Sequence, residues 1–308
     1  MMWSELISIK FLILYIFILS ACYVHFRGKV RHKFFRQLFD HSTLMAPVNA
    51  VMYLCSPVPA KPYLSVEDFP ELKVLRENWQ VFREEALALA DQGYIKASDK
   101  YDDAGFNSFF RTGWKRFYLK WYGENHPSAK KLCPKTLALL NKVPSVKAAM
   151  FASLPPGSKL VKHRDPYAGS LRYHLGLITP NSDQCSIFVD GESYYWRDGE
   201  DIMFDETYIH YAHNQTDHPR IILFCDIERP MRNKIAAWLN HFICKTLMYA
   251  SAAPNAESDR TGFVNKAFKY LYAIRRVGKK LKAKNRKLYY LVKYVLFGSI
   301  LYFLFFIL

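Results

Sequence analysis

The stretch His163-Arg164-Asp165-Pro166-Tyr167-Ala168-Gly169-Ser170-Leu171-Arg172-Tyr173-His174-Leu175-Gly176-Leu177 decides how the middle of this chain folds. Its second half alternates, with Leu171, Tyr173, Leu175 and Leu177 on one side and Arg172 and His174 on the other, the period of a strand. Downstream, Asp190-Gly191 and Asp198-Gly199 read as hairpin turns, because Asp and Gly accept the positive φ that tight turns need. Val146 to Leu154, Ile202-Met203-Phe204 and Ile221-Ile222-Leu223-Phe224-Cys225 read as further strands. Short strands with tight turns predict a mainly β chain whose core is a β-sandwich or a double-stranded β-helix (jelly roll), the jelly roll being the expectation carried forward.

The first half of the stretch carries chemistry. In a strand, residues two apart face the same side, so His163 and Asp165 can reach one metal together. His210, from a later neighbouring strand, completes two imidazoles and one carboxylate on one face of an octahedron. Three positions stay open, which suits non-haem Fe(II). Two of them can take a bidentate 2-oxoacid and the third O2. Arg220 lies ten residues past His210, a reach that lets the next strand carry a guanidinium into the same cavity. An always-charged fork of donors suits the far carboxylate of 2-oxoglutarate. Plainer readings stand beside this one. Asp165 before Pro166 can start a turn, His210 can be a hydrogen-bonded core histidine, and Arg220 a surface charge.

With Pro156-Gly157, His163, Leu171 to Leu177, Phe204-Asp205, His210 and Arg220, the chain resembles the aspartyl/asparaginyl β-hydroxylase family of Fe(II)/2-oxoglutarate-dependent dioxygenases. Tyr23 to Gly28 and Phe35 to Ser42 extend the likeness to the branch that hydroxylates lipid A in bacteria. The resemblance implies iron on His163 and His210, and 2-oxoglutarate on Arg220 with help from Arg172 and His174. Animal relatives acting on protein side chains have glycine where this chain has Asp165; a carboxylate here fits a complete triad. The family serine that touches the co-substrate falls at Ala152, with Ser153 one place on.

The chain has 308 residues and a formal charge of +16. The placement of that charge is informative. Arg275, Arg276, Lys279, Lys280, Lys282, Lys284, Arg286 and Lys287 precede a run from Tyr289 to Leu308 that is nearly all apolar, and no acidic residue follows Asp259. Leu6 to Phe26 is apolar apart from Ser8, Lys10, Ser20 and His25, and Arg27, Lys29, Arg31, Lys33 and Arg36 follow it. Each apolar run is close to the roughly 20 residues of a spanning helix. Basic clusters beside them favour an anionic membrane surface over nucleic acid. Positive charge marks the cytoplasmic side, so the expectation is a cytoplasmic catalytic domain on the bacterial inner membrane, anchored at each end. Leu19-Ser20-Ala21-Cys22 resembles a lipoprotein processing box, but a signal peptide carries its positive charge before the apolar run. The six cysteines show no CxxC pair and read as free thiols.

The expected organisation is an anchor over 1–27, a linker and helical flank over 28–100, a jelly-roll core over 101–230, basic amphipathic membrane-surface helices over 231–288, and a second anchor over 289–308. Within it, Ser65 caps a helix from Val66 to Asp91 that ends at Gly93. Phe109 to Tyr122 reads as an aromatic strand, and Pro134 to Asn141 as a short helix. Lys234 to Tyr249 and Val264 to Lys287 read as amphipathic helices. The reading that joins all parts is hydroxylation at C2 of a secondary acyl chain of lipid A, with the target supplied by the resemblance. An unactivated C–H bond offers no handle to an acid, a base or a nucleophile, so a bound metal is the suitable oxidant. The rival readings are hydroxylation of Asp or Asn side chains in a protein, and a non-catalytic membrane scaffold. Oligomeric state is not legible in the sequence.

Overall fold

The computed structural model describes residues 8–98 and 100–303. Its strands are β1 (Tyr63–Leu64), β2 (Lys115–Trp121), β3 (Glu124–Asn125), β4 (Val146–Leu154), β5 (Lys159–His163), β6 (Ser170–Ile178), β7 (Cys185–Val189), β8 (Glu192–Tyr195), β9 (Asp201–Phe204), β10 (His210–Asn214) and β11 (Arg220–Glu228). They form a seven-stranded sheet in the order β1-β9-β6-β11-β4-β2-β3 and a four-stranded sheet in the order β5-β10-β7-β8. All pairings within them are antiparallel.

Alternation along the strands gives the large sheet two buried faces. On one, Leu171, Tyr173 and Leu175 of β6, Leu223 and Cys225 of β11, and Phe151 of β4 share a core with Phe82, Ala86 and Leu89 of the Trp79–Asp91 helix and Leu137 and Leu140 of the Pro134–Leu140 helix. On the other, Met150, Ala152, Ile222, Phe224 and Phe204 meet Ile187, Val189 and Ala212 of the small sheet. Arg172, His174 and Arg220 fall on this second face and are buried there. Polar groups between two apolar layers are the exceptions that call for a reason.

Local structure departs from the sequence reading at identifiable residues. The helix expected from Val66 to Asp91 is broken into 3-10 turns at Val66–Asp68 and Pro70–Leu72 and helices at Lys73–Glu77 and Trp79–Asp91. Pro70 has no amide to continue the first turn, and Ser65 makes no capping bond. Gly93 (φ +72°) ends the last piece as expected. Asp190 (φ +51°) and Gly191 (φ +92°) do form a two-residue hairpin turn, between β7 and β8. Asp198-Gly199 does not, because it carries the chain from β8 in the small sheet to β9 in the large one. The aromatic strand starts only at Lys115, after a short helix at Asn107–Phe110.

Among the described residues, Ile9–Phe26 is the one helix long and apolar enough to cross a membrane, with mean hydropathy 2.0. Leu6 and Ile7, which the sequence assigns to it, lie outside the described residues. Ser20 and Val24 are its buried residues, a narrow stripe four residues apart. The second expected anchor is not shown. Arg286–Tyr302 is a 17-residue helix that contains Lys287 and Lys293, and residues 304–308 lie outside the described residues. Asn285, in an extended conformation, separates it from the Phe263–Lys284 helix and caps it by accepting from the Leu288 amide at 2.9 Å.

Just after the first helix, Arg27 turns into the protein. Its Nη2 donates to Asp205 Oδ2 at 2.7 Å, and Arg229 Nη2 donates to the same oxygen at 2.7 Å. Burial works to raise the Asp205 carboxyl, but the two guanidiniums override it and hold it well below the ordinary carboxylate value. A depressed carboxyl gives stability that is full above its unfolded pKa and lost as pH falls through the folded value. Asp205→Asn leaves two buried cations short of their anion and should cost about 3–5 kcal/mol. Thermal unfolding in detergent at pH 7 should show the loss, and the gap between variant and parent should narrow below about pH 3.

A candidate metal centre between the two sheets

β5 and β10 are antiparallel neighbours, and their register sets His163 opposite His210. The two rings stand 4.2 Å apart, centroid to centroid. Each ring is turned by its own strand: Nδ1 of His163 lies 2.7 Å from the Val161 carbonyl, and Nδ1 of His210 lies 3.0 Å from the Tyr208 carbonyl. A carbonyl only accepts, so each Nδ1 carries the proton and each Nε2 keeps its lone pair for a ligand. Asp165 sits just past the end of β5, where its amide donates to the Glu206 carbonyl at 2.9 Å. Its Oδ2 accepts from Arg172 at 2.6 Å, and its Oδ1 lies 3.8 Å from His163 Nε2.

One potential ligand atom from each of His163, Asp165 and His210 lies within 4.8 Å of the others. Two metal–ligand bonds of about 2.1 Å at a right angle leave their donors about 3 Å apart, so a cation would draw the three together by about 1–2 Å. Their protonation suits binding. Burial, then the neighbouring His163, pushes His210 down to about 3, and burial lowers His163 as well. Neutral imidazoles have no proton to lose to a metal at pH 7. Burial raises the Asp165 carboxyl, but Arg172, His210 and His163 together hold it below its ordinary value.

Behind the triad lies a buried charge cluster. Arg172 meets Asp165, Asp226 at 3.1 Å and Glu206 at 3.8 Å. Burial first, then Asp226 and Asp165, pushes Glu206 up to about 8 against the pull of Arg172. Three carboxyls around one guanidinium are short of positive charge, and a divalent cation on Asp165 would supply it. The donor set and the charge both fit a metal.

The triad, Arg172, His174 and Arg220 line one cavity of about 30 Å³, walled by Phe109, Trp196, Phe204 and Phe224. Arg220 and Arg172 differ sharply. The Arg220 guanidinium lies 4.4 Å from the Trp196 ring, and its Nε and Nη2 are buried with no hydrogen-bond partner. Burial brings it down to about 10. Both nitrogens of His174 are likewise buried and unpartnered. These are the groups a carboxylate entering the cavity would satisfy. Arg172, expected on the co-substrate, is instead engaged by carboxylates of the protein. Ala152 faces the inter-sheet core, so by alternation Ser153 points to the opposite face of β4.

Residues 76–230 match the family model described as Aspartyl/Asparaginyl beta-hydroxylase. The chain belongs to this family. That agrees with the resemblance carried by the His163 to His210 motif. Ornithine lipid ester-linked acyl 2-hydroxylase of Rhizobium tropici is 42% identical over 123 residues, 40% of this chain and 44% of that protein. Human aspartyl/asparaginyl beta-hydroxylase is 28% identical over 187 residues, 58% of this chain and 24% of that one. The matched region therefore spans less than half the length of either relative. Among solved structures, a Pseudomonas putida prolyl-4-hydroxylase aligns along its whole length with 60% of this chain, at TM-score 0.34 and 13% identity. That likeness is too distant to carry an argument. Both of these relatives are hydroxylases by name.

Trp196, Glu206 and Asp226 were not singled out from sequence. Asp226 had a signal: it follows Phe224 by two on β11 and pairs in register with Arg172. A carboxylate inside an apolar strand implies a buried partner. The two arginines should separate in a stability test. Arg172→Met strands the buried Glu206 and Asp226 and the half-buried Asp165, and should cost about 3–5 kcal/mol. Arg220→Met removes a buried cation that has no counter-charge among the described residues and should leave thermal stability unchanged or higher. Thermal unfolding of the two variants checks this.

Proposed function

We propose that this hydroxylase binds Fe(II) on His163, Asp165 and His210 and uses 2-oxoglutarate and O2 to hydroxylate C2 of a fatty acyl chain on a membrane lipid. The observation that carries the reading is the pairing, in one cavity, of a three-atom metal set with a buried guanidinium that has no partner. A bound iron would supply the oxidant for an unactivated C–H bond. The protein's own residues do the rest. Asp165 offers one oxygen while Arg172 holds the other. The two histidines are fixed in tautomer by Val161 and Tyr208. Arg220, with His174, takes the far carboxylate of the co-substrate through donors that nothing else uses. Arg172 acts through Asp165 and does not touch the co-substrate. The aromatic walls exclude water from the reacting carbon. Since the cavity as it stands has a volume of about 30 Å³, little more than one water, a dicarboxylate enters only when these walls swing aside.

The lipid substrate is supported by the acyl 2-hydroxylase relative and by the apolar Ile9–Phe26 helix. Lipid A is the proposed lipid. The basic Phe263–Lys284 helix, with Tyr270, Leu271, Ile274 and Val277 exposed, would lie against an anionic leaflet and meet its phosphates. Orientation follows the basic flank: catalytic domain on the cytoplasmic side of the inner membrane, with residues 289–308 as a second anchor. Arg27 adds less to that flank than its position suggests, since its side chain is only 6% exposed and is bound to Asp205.

Two measurements test the reading. Arg220→Ala should raise the KM for 2-oxoglutarate by about tenfold or more, and Arg220→Lys should recover only part, because a point charge does not replace a fork. An unchanged KM would remove Arg220 from the co-substrate site. Mass spectrometry of products from purified lipid A, ornithine lipid and an Asp/Asn peptide, under labelled O2, should show one labelled oxygen in an acyl chain of lipid A. Label in the peptide alone would move the protein to the side-chain hydroxylases.

A further inference from the structure

We propose that residues 24–49 are a structural part of the metal centre, with Arg164 the positioning residue that ties the ligand-bearing loop to the end of the apolar helix. The inference rests on the triad being a metal site.

His163 and Asp165 share a side of the chain, which sends the intervening Arg164 to the other. Its side chain is buried, and Nη1 donates to the Val24 carbonyl at 2.7 Å. That acceptor is available because the last four carbonyls of a helix have no partner within it, and Val24 lies in the last turn of Ile9–Phe26. Neighbouring positions are held by the same segment. Arg36 donates to the Lys162 carbonyl at 2.6 Å. Asn49, fully buried, donates to the Pro166 carbonyl at 2.8 Å and accepts from the Ala168 amide at 2.9 Å. Residues 162, 164, 166 and 168 are therefore each bonded to residues 24–49.

The other half of the triad is gripped as well. Arg27 donates to Asp205 and to Thr207 Oγ1 at 2.8 Å, on the segment that leads to His210. The Lys29 and Val30 amides donate to Asp190 at 3.0 and 2.7 Å, and Asp190 follows Val189, the partner of His210 in β7. One short segment thus holds both ligand-bearing pieces. It lies outside residues 76–230, the block matched to the family. A loop with two ligands and no regular ladder beyond His163 would otherwise pay the entropy of ordering on metal binding.

The test uses the full chain in phospholipid nanodiscs with Co(II) as the probe, read by its d–d absorption and by the Kd from titration. Arg164→Met should weaken Co(II) roughly tenfold, the scale of one buried charge-assisted hydrogen bond. Arg164→Lys, which keeps a cationic donor, should recover part of the affinity and the parent spectrum. A merely structural lesion would lower thermal stability without that recovery. An unchanged Kd in folded Arg164→Met overturns the proposal. Should that variant fail to fold, Arg36→Gln decides, because Arg36 is exposed and its loss leaves the core intact. Weaker Co(II) binding there supports the proposal and unchanged binding overturns it. His210→Ala is the control. If it too binds Co(II) like the parent, the metal reading itself falls, and with it the basis for this one.

Discussion

A carboxylate with no exposure, Asp205, sits where three distant parts of the chain meet, and the rest of the arrangement depends on it. Arg27 arrives from the apolar helix, Arg229 from the end of β11, and Asp205 itself closes β9. Isolated, such a charge would be intolerable between the layers; with two guanidiniums and the Thr207 amide donating at 3.0 Å it is fully bonded. The backbone just beyond it supplies the Glu206 carbonyl to Asp165 and the Tyr208 carbonyl to His210. The orientation of two ligands is thus set by peptide groups whose own place is fixed by one ion-pair triad.

The inter-sheet space shows two ways of burying charge. Around Arg172 opposite charges are in contact, three carboxyls to one guanidinium, and Glu206 is raised in consequence. Around Arg220 and His174 nothing answers, and the polar atoms wait between aromatic rings. Buried groups without partners oppose folding, which supports the proposed role of these two in holding the co-substrate. The contrast assigns different work to two arginines that motif reading had placed together.

Much of this was legible in the sequence. Alternation from Leu171 to Leu177 gave β6, and Asp190-Gly191 gave the β7–β8 turn. His163, Asp165 and His210, expected together from strand spacing and from the resemblance, do converge, although Asp165 lies just past the end of β5. What escaped depended on contacts between distant segments. The Val66 to Asp91 apolar stripe looked like one helix, yet Pro70 and Asn78 mark its breaks. Asp198-Gly199 has the composition of a hairpin but connects two sheets, which only the fold reveals. Arg164 and Asn49 stood out in no way from the sequence, because neither has meaning until Val24 and Pro166 are beside them.

The partners of residues 27–30 lie 160 to 180 positions further along the chain. During synthesis the apolar helix, with its Arg27 and its Val24 carbonyl, leaves the ribosome long before Arg164, Asp190 or Asp205 exists. Contacts so far apart in sequence form slowly. The bonds made by residues 27–30 must therefore wait until the two sheets have closed.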